Sequence, residues 1–109
     1  MALVPYHNIA GSTTRENELI GVGDIKTNLR SIHLNNVNNS SAATIDLYLY
    51  KPSTDTSDEE SYFILKSYSL AAARYLTIDD LGLLSFDNST YALFISVGGS
   101  DTVDVFLNR

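Results

Sequence analysis

Apolar and polar residues alternate with a period of two along most of the chain, the spacing of strands that bury one face. From Thr44 to Tyr50, Ile45, Leu47 and Leu49 face one way while Asp46, Tyr48 and Tyr50 face the other. Upstream, Ile32 and Leu34 alternate with Ser31 and His33 and lead into Asn35-Asn36-Val37-Asn38-Asn39-Ser40-Ser41, a run of turn formers. These two strands are expected to form a hairpin. Tyr62 to Leu65 predicts a third strand and Arg74 to Ile78 a fourth, with Leu76 and Ile78 on one side. Near the end, Tyr91, Leu93, Ile95 and Val97 alternate with Ala92, Phe94 and Ser96. Gly98-Gly99-Ser100-Asp101 then turns the chain into Val103, Val105 and Leu107. Leu47 and Ile95 are the expected centre of the core.

Strands recurring about every ten residues with short polar turns predict an all-β fold, an antiparallel sandwich of jelly-roll-like type with about seven or eight strands. The helical competitor is the stretch from Tyr68 to Leu84. Ala71, Ala72 and Ala73 favour helix there, and Asp79-Asp80 suits a helix start. At most one short helical turn is expected, around Asp79 to Leu83. Residues 1–24 read differently, because Gly11, Gly21 and Gly23 interrupt any period and Ser12 to Glu18 is polar throughout. They are expected to form an N-terminal arm or edge segment, with an edge strand from Leu19 to Val22, ahead of a sandwich domain at 25–109. Leu19 and Ile20 are then candidates for contact with a neighbouring subunit.

At 109 residues one domain is expected. With 7 Lys plus Arg against 13 Asp plus Glu the net charge is −6, which opposes binding to nucleic acid or to an anionic membrane. The absence of Cys removes disulfides, thiolate metal sites and cysteine nucleophiles. The start, Met1 to Asn8, has no basic segment and its apolar run ends at Pro5, so no secretory signal is expected. Without one, the glycosylation-type triplets at Asn38, Asn39 and Asn88 read as polar turns.

Catalytic chemistry is poorly represented. His7 and His33 lie in different segments with no metal-ligand spacing, and no G-x-S-x-G elbow or phosphate-cradling glycine loop is present. No enzyme activity, cofactor or metal is expected. Asp55, Asp58, Glu59 and Glu60 supply oxygen ligands of the kind Ca²⁺ takes, but their spacing is not that of an EF-hand, so a solvated acidic loop is the expectation. Of 11 aromatic residues 7 are Tyr, a side chain enriched where proteins meet. Tyr48 and Tyr50, opposite Leu47 and Leu49, are the candidate interface residues on that strand.

The segment Leu29-Arg-Ser-Ile-His-Leu-Asn-Asn-Val-Asn-Asn-Ser-Ser-Ala-Ala-Thr-Ile-Asp-Leu-Tyr-Leu-Tyr50 resembles the short β-sandwich virion proteins of tailed bacteriophages. In these, an R-S-I-x-L-x-N strand is followed by a small polar turn and a strand like V-x-L-Y-L. Tyr62 to Asp79 looks like the family's paired strands separated by a bend, although Ala72-Ala73 stands where Pro-Ala-Gly is common and the acidic loop is longer. Tyr91 to Val97 and Val103 to Leu107 are similar to its closing hairpin. The likeness covers about residues 26–109 and has no counterpart for the first 24.

It implies a non-enzymatic module in the virion, assembled in the host cytoplasm: first a capsid decoration or cement protein bridging capsomers, second a neck, tail, baseplate or fibre component. The implied partners are the major capsid protein or other virion proteins, together with further copies of the chain, a trimer by analogy. A carbohydrate-binding sandwich module is a further alternative, weakened by the absence of Trp, whose indole face commonly serves as a sugar platform.

Overall fold

The computed structural model describes residues 3–10, 17–23, 29–51, 60–98 and 101–108. They form eight strands and one helical turn: β1 (Leu3–Ala10), β2 (Asn17–Ile20), β3 (Ser31–Asn36), β4 (Ala43–Lys51), β5 (Glu60–Leu70), β6 (Tyr75–Ile78), α1 (Leu81–Leu84), β7 (Ala92–Val97) and β8 (Thr102–Asn108). One four-stranded sheet has the order β1-β8-β3-β6 and the other β2-β7-β4-β5, and every paired neighbour is antiparallel. This is the strand order of a jelly roll: a long antiparallel ribbon doubled back between β4 and β5 and wrapped so that its successive rungs alternate between two sheets.

The wrapping overturns the expected hairpins. Consecutive strands β3 and β4 lie in different sheets, as do β5 and β6, and β7 and β8. Among the described strands, β4–β5 is the only consecutive pair that shares a ladder. Turn-rich sequence at 35–41 therefore makes a corner between sheets, and side chains bind the corners together. Asn36, buried at the end of β3, donates its amide to the carbonyl of Ser41 at 2.9 Å in its own corner and to that of Leu70 at 3.1 Å in the β5–β6 corner. Asn88 does the same between the other twin corners. Its side-chain amide donates to the carbonyl of Gly21 at 3.1 Å, and its backbone carbonyl accepts from the Gly23 N–H at 2.8 Å. Carbonyls leaving a sheet need a donor when they turn away from water, and these two amides supply it.

The core lies between the sheets. Burial alternates strictly along β3 and β8, and Ile32, Leu34, Val103, Val105 and Leu107 meet Ile45, Leu47, Leu93 and Ile95 with no solvent exposure. Leu47 and Ile95 are indeed central, and they are register partners. The shortest dimension of the molecule, 20 Å, matches two sheets about 10 Å apart with a side-chain layer outside each. Helix α1 overlaps the expected stretch and ends one residue beyond it, with Asp80 as N-cap accepting from the Gly82 N–H at 3.0 Å.

Of the N-terminal segment, Leu3–Ala10 and Asn17–Ile20 form β1 and β2, which are edge strands, one in each sheet. Leu19 and Ile20, the candidates for a subunit contact, are buried in the core. The register slips between Glu18 and Ile20, so that Glu18 pairs with Phe94 and Ile20 with Leu93. Such a bulge breaks the alternation of faces and lets both neighbours bury, at 3% and 1% exposure.

Candidate functional site

Both sheets carry aromatic rings on their solvent sides. On the β2-β7-β4-β5 sheet, Tyr48 is opposite Phe63 of β5 and Phe94 of β7. Its ring centroid lies 5.2 Å from that of Phe63 and 5.9 Å from that of Phe94, and Tyr50 meets Phe94 edge-on at 5.4 Å. These distances are within the attractive range for offset and edge-to-face pairs. The Lys66 ammonium sits 4.2 Å above the Phe63 ring, a cation–π contact. Four rings thus form one layer across three strands. Flanked on both sides, Tyr48 is buried; Phe63 is exposed, and Tyr50 and Phe94 are half-buried. The strand-face reading of Tyr48 and Tyr50 is right in direction, and Phe63 and Phe94 complete the layer. Phe94 was visible as a ring out of phase with Leu93 and Ile95; the cross-strand register that joins the four has no signal in a single strand.

On the β1-β8-β3-β6 sheet, His33 is the hub. Its ring stacks on Tyr75 at 5.0 Å with planes 29° apart and leans on Phe106 at 5.8 Å. His33 Nδ1 and Thr77 Oγ1 share a hydrogen bond of 2.8 Å. Sequence reading placed His33 on this face without its partners. Tyr75 and Phe106 belong to strands separated from it by more than 40 residues, so only the wrapped topology brings the three together.

The end of the sandwich that holds the β2–β3 and β6–β7 corners has its own features. A cavity of about 540 Å³ is lined by Leu29, Arg30, Asp79, Leu81 and Ser85. Glu60 Oε2 accepts from the Tyr62 hydroxyl at 2.9 Å and from the Tyr91 hydroxyl at 3.3 Å. The hydrogen bond to Glu60, and then its negative charge, raise the Tyr62 phenol above its ordinary value of 10.0. In the turn at 87–90, the carboxylate of Asp87 accepts from the hydroxyls of Ser89 and Thr90, which hold it below its ordinary 3.8. Asp55, Asp58 and Glu59 of the acidic loop, and residues 12–16 of the N-terminal segment, lie outside the described residues.

All four sheet edges carry features that discourage strand addition. The β1 edge includes Pro5, which has no N–H, and a register shift between Tyr6 and Ile9. The β2 and β6 edges are four residues long. The β5 edge is eleven residues long but has two register shifts against β4 and carries Lys66 at its middle.

Among the described residues no group of three or more His, Asp or Glu is placed to hold a metal ion, and no helix is long and apolar enough to cross a membrane. Compared with protein-family models, with curated proteins and with solved structures, the chain matches none.

Proposed function

We propose that this chain is a non-enzymatic structural module of a tailed-phage virion, a capsid decoration or cement protein that bridges capsomers through the outer face of its β2-β7-β4-β5 sheet. The observation that carries the reading is the layer of Phe63, Tyr48, Phe94 and Tyr50 on the solvent side of that sheet. An antiparallel sheet with one wet face ordinarily alternates apolar-in with polar-out. A continuous apolar layer on the wet side is the mark of a surface that another protein covers. The resemblance of residues 29–50 and 62–79 to phage virion sandwiches supplies the kind of particle. Many identical weak contacts on a symmetric shell would sum to firm attachment.

The experiment is co-sedimentation of the purified chain with intact capsids and, separately, with isolated tails of the phage that carries it. Binding to capsids is expected, and replacing Tyr50 and Phe63 together by Ser should weaken it at least tenfold while thermal unfolding stays cooperative. Tyr48 is left in place because it is buried. Binding to tails alone would move the module to the neck, tail or baseplate, and binding to neither would reject the reading.

A further inference from the structure

Tyr75 is 67% exposed, the most open of the large apolar side chains among the described residues, yet its ring is held. It stacks on His33, which is itself fixed by the hydrogen bond to Thr77 and by the Phe106 ring on the adjoining strand. A flat ring presented to solvent in a fixed orientation has already lost the rotamer freedom that binding would otherwise remove. Polar groups stand in line with it. Asn35 of β3 is the register partner of Tyr75 on one side and of Asp104 of β8 on the other, each step being about 4.8 Å across the sheet.

An amide offers two donors and an acceptor, and a carboxylate offers acceptors only. Together they match neighbouring hydroxyl groups, which both donate and accept. The π-face of a tyrosine carries negative charge density and suits the weakly positive C–H bonds on one side of a pyranose ring. Charge narrows the class further. The outward positions of β3, β6 and β8 include the Asp104 carboxylate and neither Lys nor Arg, and the whole chain carries −6, so acidic or phosphorylated sugars are repelled.

We propose that this face holds a binding site for a neutral pyranose sugar, with the Tyr75 ring as its platform and Asn35 and Asp104 as its hydroxyl-binding groups. The site is on the opposite sheet from the aromatic layer assigned to particle docking, so a docked copy would still display it.

The test is a titration of the full chain, followed by amide shifts and by saturation transfer to the ligand. The probes are the methyl glycosides of glucose, galactose, mannose and N-acetylglucosamine, with methyl glucuronide as the anionic counterpart. At least one neutral probe is expected to bind in the millimolar range, shifting resonances of Asn35, His33 and Tyr75, while the glucuronide binds more weakly. Tyr75→Ala should lower the affinity about tenfold or more and Asn35→Ala several-fold; Tyr62→Ala, which removes another exposed ring elsewhere, should leave it unchanged. The shift map of the unaltered chain decides the matter even if a variant folds poorly. Failure of every neutral probe would overturn the proposal. So would shifts located away from this face, affinity unchanged in a folded Tyr75→Ala chain, equal binding of the glucuronide, or shifts on this face only when a protein partner is added.

Discussion

The side-chain amide of Asn36 donates to the backbone carbonyl of Leu70 at 3.1 Å, across 34 residues of sequence. The same amide reaches the Ser41 carbonyl, while its Oδ1 accepts from the Asn38 N–H at 3.0 Å. One buried polar side chain therefore closes two corners of the wrapped ribbon at once. Asn36→Ala takes this donor from the buried Leu70 carbonyl and from the part-buried Ser41 carbonyl, and each such loss costs up to about 1–3 kcal/mol. The expected loss for the pair is about 2–4 kcal/mol, read as a lower urea midpoint with an unchanged slope. Asn36→Asp should be worse at neutral pH, because it turns a carboxylate oxygen toward carbonyls, and should recover in part once that carboxyl is protonated. Equal stability of the alanine variant would mean that the corners are held by packing alone.

A second corner depends on the lack of a side chain. A Cβ on Gly98 would lie 2.5 Å from Asp101 Oδ2, the oxygen that accepts from the Thr44 N–H at 3.0 Å. Gly98 also donates its N–H to the Thr44 carbonyl at 2.9 Å, so the β7–β8 corner is fastened to the start of β4 from both sides. Gly98→Ala must displace the carboxylate and lose that bond, at about 1 kcal/mol. In an Asp101→Ala background the same change has nothing to displace, and the double-mutant cycle should show a coupling of at least about 0.5 kcal/mol. Additive effects would refute the steric link.

These corners show where the sequence was legible and where it was not. Alternation in Ile32–Leu34, Ile45–Leu49 and Leu93–Val97 reports which side chains face inward, because the pleat fixes that locally. It carries no information on which strand lies beside which, and so turn-rich runs at 35–41 and 98–101 suggest hairpins where the chain changes sheets. Leu19 and Ile20 bury together because of a bulge that depends on β7, and Tyr48 is covered because Phe63 and Phe94 are its register partners. Each of these is a property of a pair of segments. The short turn capped by Asp80, being local, was readable.

The bend between β5 and β6 contains a conformation that its residue tolerates poorly. Ala73 has φ of 57°, in the left-handed region, where a Cβ crowds the following carbonyl at a cost of about 1–2 kcal/mol. Ala73→Gly removes the strain but widens the unfolded ensemble, which offsets about 0.4–1 kcal/mol. A net gain of about 0.5–1 kcal/mol is expected. The neighbouring Ala72, which is not among the positive-φ residues, should lose stability on the same change. A gain at both positions, or at neither, would contradict the backbone assignment.

Alkaline pH should weaken the fold at the end that carries Glu60. Tyr62 donates to Glu60 only as a neutral phenol, and the carboxylate opposes its ionisation, so its folded value lies above the ordinary 10.0. A group whose proton is held more tightly in the fold contributes stability that is fully present below the unfolded value and is lost as pH rises through the folded one. The contribution is therefore intact at neutral pH and declines above about pH 10. The group is open to solvent, so the effect on unfolding is small and the midpoint itself is the better readout. Followed by the ring-carbon resonances of Tyr62, Glu60→Gln should bring the midpoint down toward 10.0, since it removes the charge and keeps an acceptor in place. Tyr91→Phe, which removes the second donor at Glu60 Oε2, should leave most of the shift. A Tyr62 midpoint that Glu60→Gln does not move would show that the carboxylate is not its cause.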